Sequence, residues 1–171
     1  MGPPDAPPPE RPTPWLSPQE RAVWLSLSRL MIKLPTALDA QLERDADLNY
    51  FEYTVMAVLS EQDDKTLRMS QLAALTNASL SRLSHVAKRL ESRGFVRREP
   101  DREDGRYTKA VLTARGVAKV ECSAPGHVAA VRELVFDAMS PAQSHQLHEA
   151  VEAVVARVDP DNPSWPRPPA V

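Results

Sequence analysis

The chain has 171 residues, 42% of them hydrophobic, which suits one domain or two small ones with a packed core. Its net charge of −2 argues against a uniformly basic nucleic-acid-binding protein, and its single cysteine, Cys122, excludes an internal disulfide or thiolate metal cluster. No apolar run approaches the roughly 18 residues that span a bilayer, and no signal-peptide pattern opens the chain, so we expect a cytoplasmic protein that does not bind membranes.

The first folded element that the sequence predicts is a long helix. Ser17 supplies a hydroxyl cap, Pro18 occupies the first helical position, and Glu20 completes a capping box. We expect this helix to reach about Arg44, with a kink at Pro35. Its apolar stripe, at spacings of three and four residues, comprises Trp24, Leu27, Met31, Leu34 and Leu38. A stripe of this length needs a partner element, and a second subunit is the economical candidate.

Two shorter helices are predicted next. Asn49 and Glu52 repeat the capping pattern ahead of a second helix that ends near Ser60. After a solvated loop, residues 67–69 are predicted to be extended, and Ser70 is predicted to cap a brief third helix.

A longer amphipathic helix follows an interruption at residues 77–78. It is predicted to begin at about Ser79 and to end at Gly94, a glycine at a left-handed C-cap. Its inward side is predicted to comprise Leu80, Leu83, Val86, Ala87 and Leu90. After Gly94 the apolar period falls to about two, so residues 95–98 and 107–112 are predicted to form a hairpin around a polar turn.

Two closing helices complete the predicted fold, which is mostly α with a small β hairpin (α+β). Thr113 caps the first closing helix, which Pro125 and Gly126 are expected to bend or break, and Ser140 with Pro141 begins the second. Their apolar positions are Val117, Val120, Val128, Val131, Leu134 and Val135, followed by Leu147, Val151, Val154, Val155 and Val158.

Positive charge is concentrated in one segment of this otherwise acidic chain. Residues 79–115 hold ten basic and five acidic side chains, a net charge of +5, whereas the remainder carries −7. A short helix, a tight break, a longer helix and a charged hairpin, in that order, are typical of a winged helix-turn-helix. A charged turn alone usually indicates a solvated loop, so the wing interpretation depends on the helix pair that precedes it.

The residues around the hairpin resemble the MarR family of bacterial transcriptional regulators. The family's spacing pattern, LExxGxVxR, DxR and LTxxG, is matched by Leu90, Glu91, Gly94, Val96, Arg98, Asp104, Arg106, Leu112, Thr113 and Gly116. The resemblance extends from about Ser17 to Val158. The sequence departs from the family pattern at Gly105, a position that is often basic in the family, so the tip of the wing carries less charge.

The resemblance implies a two-fold homodimer that binds pseudo-palindromic double-stranded DNA, with recognition helices in major grooves and wings in minor grooves. Many members of the family resemble repressors that are released from DNA when they bind a small, often aromatic, effector. No other cofactor is expected. Five regions follow: disordered Pro-rich tails at 1–14 and 159–171, an N-terminal dimerisation helix at 15–46, a winged helix-turn-helix DNA-binding domain at 47–116, and C-terminal dimerisation helices at 117–158.

Candidate DNA contacts on the recognition helix lie opposite its buried side when each residue is rotated by 100°. They are Ser79, Ser81, Arg82, His85 and Arg89. Arg82 is the candidate for a bidentate contact to guanine and His85 for a contact to a base edge, whereas the other three suit phosphate.

The wing supplies the remaining candidates. The family pattern carries over to Arg106 as the wing arginine and to Asp104 as the carboxylate that orients it. Arg102 is a second phosphate or groove contact, and Arg98 either contacts DNA or supports the base of the wing.

Three other features have two interpretations each. His145 and His148, with Glu149 and Glu152 nearby, suit a metal ion, but exposed histidines are commoner and we expect no metal. Cys122 is either a redox sensor or a structural cysteine, and the family's placement of sensing cysteines in the first helix favours the structural role. Five aromatic residues either line an effector pocket or belong to ordinary core and interface packing: Trp15, Trp24, Tyr50, Phe51 and Tyr53.

Two other classes of function compete with a DNA-binding repressor. A hydrolase or transferase calls for a glycine-rich phosphate loop, a nucleophile elbow or a recognisable catalytic triad, and the sequence has none of these, so we expect no enzyme. A winged-helix dimerisation or adaptor protein without sequence-specific DNA binding is the alternative, against which the basic segment argues.

Overall fold

The computed structural model describes residues 14–101 and 104–160, and its elements follow the predicted order. A 3₁₀ turn at Phe136–Ala138 joins the last two helices. The helices are α1 (Pro18–Ala46), α2 (Tyr50–Ser60), α3 (Met69–Leu75), α4 (Leu80–Ser92), α5 (Ala114–Leu134) and α6 (Pro141–Val158), and the strands are β1 (Thr66–Arg68), β2 (Val96–Pro100) and β3 (Thr108–Leu112). The predicted α+β class is therefore confirmed. The chain divides into two compact units within α1, after Leu34.

The first unit holds the N-terminal half of α1, which begins as predicted. The Ser17 hydroxyl accepts a hydrogen bond from the Glu20 amide at 3.3 Å, and the Ser17 amide donates to the Glu20 carboxylate at 2.7 Å. Hydrogen bonding of the Glu20 carboxylate to the Ser17 side chain, and then to the Ser17 amide, lowers the pKa of Glu20. No residue among 14–34 is buried, and the exposed fractions of Trp24 and Met31 both reach 53%. The stripe that the sequence predicts for this half of α1 is therefore open to solvent.

The second unit is built on a three-stranded antiparallel sheet in the order β1, β3, β2. Strand β3 is central: Val111 pairs with Thr66 on one side, and Leu112 pairs with Val96 on the other. The predicted hairpin is confirmed, and its first strand runs on to Pro100, two residues beyond the prediction.

The core of this unit lies between the sheet and helices α2, α3 and α4, with a contribution from α5. Its largest buried side chains include Leu42, Leu48, Met56, Leu59, Leu72, Leu83, Leu90 and Val96. Because α4 buries Leu83, Val86, Ala87 and Leu90 in this core, its opposite side is turned to solvent.

The residues of the LTxxG pattern join the start of α5 to the start of β2. The Thr113 hydroxyl accepts from the Gly116 amide at 3.0 Å and donates to the carbonyl oxygen of Gly94 at 2.7 Å. A Cβ on Gly116 would lie 2.2 Å from the carbonyl oxygen of Phe95, so only glycine permits this approach. Gly94 itself has a φ of +75°, as predicted for a left-handed C-cap.

One sequence expectation about helix boundaries was wrong. Ser70 lies inside α3 and does not cap it: Arg68 is the N-cap residue, and its amide donates to the Gln71 side chain at 3.2 Å. Helix α5 is continuous from Ala114 to Leu134, so of the two outcomes expected at Pro125 and Gly126 a break does not occur: Pro125 removes a single hydrogen bond from a helix of 21 residues.

Helix α6 has a capping box at Ser140 and Gln143, and none of its residues is buried. Its stripe, from Leu147 to Val158, is exposed, with Val154 at 53%. Within the described ranges, no helix has both the length and the apolar character that crossing a membrane requires.

His127 of α5 joins a half-buried polar cluster with α1 and α2. Its ring lies 4.6 Å from the Tyr53 ring, and its Nδ1 lies 3.4 Å from the side-chain oxygen of Gln41, whose amide donates to Asp45 at 2.9 Å. Burial lowers the pKa of His127 and raises that of Tyr53. The folded chain therefore favours the neutral imidazole.

The lowered pKa of His127 predicts acid-sensitive folding, because the unfolded chain binds this proton at a higher pH than the folded chain. The free energy of unfolding should fall as the pH drops from 7.5 through about 6.5, the ordinary histidine value. Urea unfolding between pH 7.5 and 5 should show this slope, and His127→Gln should flatten it. His85→Gln, at an exposed position on α4, is the matched control. An unchanged slope in His127→Gln contradicts the assignment.

Candidate nucleic-acid interface

The N-terminus of α4 is fixed by the turn that precedes it. Asn77 adopts a left-handed conformation with a φ of 47°, and Ser79 is the N-cap, its hydroxyl accepting from the Arg82 amide at 3.2 Å. The hydroxyl oxygens of Ser79 and Ser81 lie 3.1 Å apart. Both serines are exposed, so this end of the helix presents hydroxyl groups and backbone amides to solvent.

The outer face of α4 is polar and cationic. Ser81, His85, Lys88 and Ser92 are exposed along it, and a shallow groove of about 560 Å³ runs beside the last three of these residues. Neither His85 nor Lys88 forms an ion pair with any described residue. Sequence reasoning missed Lys88, although the same 100° rotation places it on the face that Ser81 and His85 share.

Two of the predicted contacts, Arg82 and Arg89, lean from α4 onto α2. The Arg82 guanidinium carbon lies 4.2 Å from the centre of the Phe51 ring, a cation–π distance. An Arg89 guanidinium nitrogen lies 3.0 Å from a carboxylate oxygen of Glu52. Both arginines remain exposed at one side of the outer face, so the structure brings all five predicted helix residues to one surface.

Glu52 joins the cap of α2 to the recognition helix. Its carboxylate accepts from the Asn49 amide at 3.0 Å, while Asn49 accepts from the Glu52 amide at 2.8 Å, which completes the predicted capping box. The same buried carboxylate lies 3.0 Å from Arg89 and 3.9 Å from Arg93, and Arg93 also binds Asp47 at 2.9 Å. One acidic side chain therefore contacts Arg89 of α4 and Arg93, the residue that follows this helix.

The wing arginine is paired as the sequence predicts. Arg106 binds Asp104 through two nitrogens, Nε at 2.9 Å and Nη2 at 2.7 Å. The side-chain hydrogen bonds lower the pKa of Asp104 and raise that of Arg106. The Arg106 side chain is 85% exposed, so the pair fixes its direction and leaves its outer side open to solvent.

A second acidic residue, which sequence reasoning missed, anchors the base of the wing. The Asp101 carboxylate is buried and lies 2.6 Å from Nε of Arg68 and 3.3 Å from Nζ of Lys109. The Asp101 amide donates to the carbonyl oxygen of Tyr107 at 2.8 Å, and the Arg68 guanidinium lies 4.8 Å from the centre of the Tyr107 ring. No local pattern links these residues, because the pairing of β1 with β3 brings Arg68 and Lys109 together.

Arg98 points back toward α4. Its Nε and Nη2 lie 3.0 and 2.7 Å from the same carboxylate oxygen of Glu91, and its amide donates to the other oxygen at 2.9 Å. The hydrogen bond from the Arg98 amide contributes most to lowering the pKa of Glu91, and the one from its side chain adds to it. This geometry joins the recognition helix to the first strand of the wing.

Leu80 corrects another expectation, since it was predicted to point inward and is 52% exposed. It is the first residue of α4, where the helix extends past the edge of the core. It lines a cleft of about 230 Å³ between the recognition helix and the wing, together with Met69, Ser70, Ser84, Arg98, Arg106, Tyr107 and Thr108.

The other predicted features lie elsewhere. Arg102 is outside the described residues. His145 and Glu149 are exposed neighbours 3.9 Å apart on α6, and Cys122 is exposed on α5. Of the aromatic residues, Trp15 is 88% exposed and Phe51 lies under Arg82.

Comparisons with known proteins agree with this architecture. A model of the MarR family matches residues 46–106. The chain is 39% identical to Sco3205, a MarR family transcriptional regulator from Streptomyces coelicolor whose crystal structure is a complex with DNA, with a TM-score of 0.83 over 89% of this chain and 94% of that one.

Two further relatives extend the comparison. AbsC, another MarR family regulator from Streptomyces coelicolor, is 34% identical with a TM-score of 0.80 over 85% of this chain and 98% of that one. The HTH-type transcriptional regulator PapX from Escherichia coli is 29% identical over 70 residues. That match spans 41% of this chain and 43% of the curated relative, less than half of its length.

The role of Glu52 predicts a stability difference between two substitutions. Glu52→Ala removes one of the two hydrogen bonds of the capping box and both ion pairs and should cost about 1–3 kcal/mol of unfolding free energy. Glu52→Gln keeps a capping side chain but loses the charge, so its loss should be smaller. Denaturant unfolding at one fixed protein concentration measures both values. Glu43→Ala, at an exposed site on α1, should change stability by less than about 0.5 kcal/mol. Equal losses of unfolding free energy in Glu52→Ala and Glu43→Ala contradict this role of Glu52.

Proposed function

Because this chain belongs to the MarR family of transcriptional regulators, we propose that it is a dimeric repressor that binds pseudo-palindromic double-stranded DNA. Helix α4 enters the major groove, and the wing between β2 and β3 enters the adjacent minor groove. The winged domain is the segment 47–116 of the sequence, and the helical segments 15–46 and 117–158 form the dimer.

One observation carries this proposal: a cationic helix face and an exposed wing arginine project from one rigid unit. Lys88 and His85 on α4 have no ionic partner among the described residues, and Arg106 is held outward by Asp104. An exposed arginine at a hairpin tip suits the narrow, electronegative minor groove, while helix side chains read base edges. Arg102, outside the described residues, adds a second wing cation.

Arg82 is the proposed reader of guanine. A guanidinium that stacks on a ring uses its face, so the in-plane N–H groups remain available for two parallel hydrogen bonds. No side-chain hydrogen bond of Arg82 to another described residue competes for them. Stacking on Phe51 therefore preorganises Arg82 and reduces the entropy lost on binding.

A second copy of the chain is the proposed partner of the exposed stripes. Val23, Trp24, Leu30 and Met31 of α1 and Val151, Val154 and Val155 of α6 are all more than a third exposed. A row of exposed apolar side chains along one helix, as each stripe is, marks an association surface, and a two-fold dimer sets two recognition helices one DNA turn apart.

Release by a small aromatic effector is the proposed regulation. Tyr50, Tyr53 and His127 bring three rings together beside the buried amide of Gln41, with ring centres 4.6 and 6.0 Å from His127. This group offers stacking surface and hydrogen bonds to a planar ligand. A metabolite screen for compounds that release bound DNA tests this part of the proposal.

The groove assignment predicts different losses for two arginine substitutions. Arg82→Ala should cost about 1–3 kcal/mol on selected genomic fragments and relax base preference. Arg106→Ala should weaken specific and random duplexes evenly and lower the salt slope by less than about one per subunit, because Asp104 already neutralises part of its charge. Fluorescence anisotropy over a salt series measures both effects.

Glu43→Ala is the control for these titrations, since it removes an exposed charge from α1. Equal losses on specific and random duplexes for both variants contradict the assignment. Absence of salt-dependent binding to any selected duplex favours an adaptor protein and contradicts the proposed function itself.

The dimer proposal predicts that Val154→Asp produces monomers, because a charge in the α6 stripe cannot be buried without a partner. Light scattering coupled to gel filtration measures the mass. Glu149→Lys changes charge on the opposite face of α6 and should leave the mass that of a dimer. A dimeric Val154→Asp protein contradicts the role of α6.

A further inference from the structure

Leu80 is an exposed apolar side chain in a cleft whose other lining residues are mostly polar or charged. It is 52% exposed at the first position of α4. Its neighbours in the cleft between α4 and the wing include Ser84, Arg98, Arg106 and Tyr107. The core does not need this leucine, because Leu83, Val86, Ala87 and Leu90 already form the buried side of the helix.

The surroundings of Leu80 distinguish it from the exposed stripes of α1 and α6. Those stripes are rows of apolar side chains, which suit a protein partner. Leu80 instead shares its cleft with one other aliphatic side chain, Met69, and otherwise with hydroxyl-bearing residues and two arginines, and the Arg106 side chain in the same cleft is 85% exposed. Such a lining suits a partner that is anionic overall and carries isolated apolar groups.

We infer that Leu80 is a specificity-determining residue that contacts the C5-methyl group of thymine in the major groove. The inference rests on the proposed function, in which the N-terminal residues of a recognition helix reach base edges. The thymine methyl is the apolar group that the major groove displays, and it separates T·A from the other base pairs.

The size of the effect follows from the burial of one methyl group. Covering one carbon of this size contributes about 0.8 kcal/mol, which is about a fourfold change in affinity. With one Leu80 in each subunit of the proposed dimer, the wild-type protein should prefer thymine by roughly 15-fold, if the two contacts add.

Removing the methyl alone tests the inference. A duplex selected from genomic fragments is prepared once with thymidine and once with deoxyuridine, which differ by the C5-methyl. Anisotropy titrations then give the affinity ratio of the two duplexes for the wild type, Leu80→Ala and Leu80→Met. Because each protein is compared with itself, a change in DNA shape that deoxyuridine causes affects all of them equally.

We expect the wild type and Leu80→Met to prefer the thymidine duplex by roughly 15-fold, and Leu80→Ala to bind both duplexes within about twofold. Asp63→Ala, at an exposed loop position after α2 that lies outside the dimer segments and the proposed DNA contacts, should keep the wild-type ratio. A wild type that binds both duplexes equally, or a Leu80→Ala protein that keeps the wild-type preference, overturns the inference and leaves the proposed function intact. A protein that binds neither duplex overturns both.

Discussion

A buried carboxylate at the start of α2 sets the orientation of the helix that carries the proposed DNA contacts. Glu52 is 5% exposed, completes the α2 capping box and lies within 4 Å of both Arg89 and Arg93. Because a buried charge is costly without partners, the two arginines cannot move away together without leaving Glu52 unpaired. The direction in which the outer face of α4 points therefore depends on Glu52, a residue of the α2 capping box.

The wing is held by the same principle at a second point. Asp101, also buried, pairs with Arg68 of β1 and Lys109 of β3, and Glu91 ties Arg98 of β2 to α4. The helix and the wing thus have separate acidic anchors but share one sheet and one core. Glu52 and Asp101 are each more buried than the basic residues that they contact. These pairs fix the distance between the two cationic elements that are proposed to fit one duplex.

The sequence predicts well those structural features that depend on residues close together in the chain. Ser17, Asn49, Ser79, Thr113 and Ser140 all cap helices as expected, because a cap and its partner lie three residues apart. The pairs of Glu52 with Arg89 and of Asp101 with Arg68 span 37 and 33 residues, and only tertiary packing brings them together. Leu80 was misplaced because helical rotation gives a direction but does not tell where the core ends.

Ion pairs neutralise part of the positive charge of the basic segment, residues 79–115. Of its ten basic residues, six have an acidic partner within the described part of the chain: Arg89, Arg93, Arg97, Arg98, Arg106 and Lys109. A cation that already has a carboxylate gains less from a phosphate than a free cation does, since its charge is partly neutralised. Counterion release on DNA is then smaller than the count of ten cations suggests. In the proposed complex, affinity that charge does not supply comes from base edges, the contacts proposed for Arg82, His85, Lys88 and Leu80.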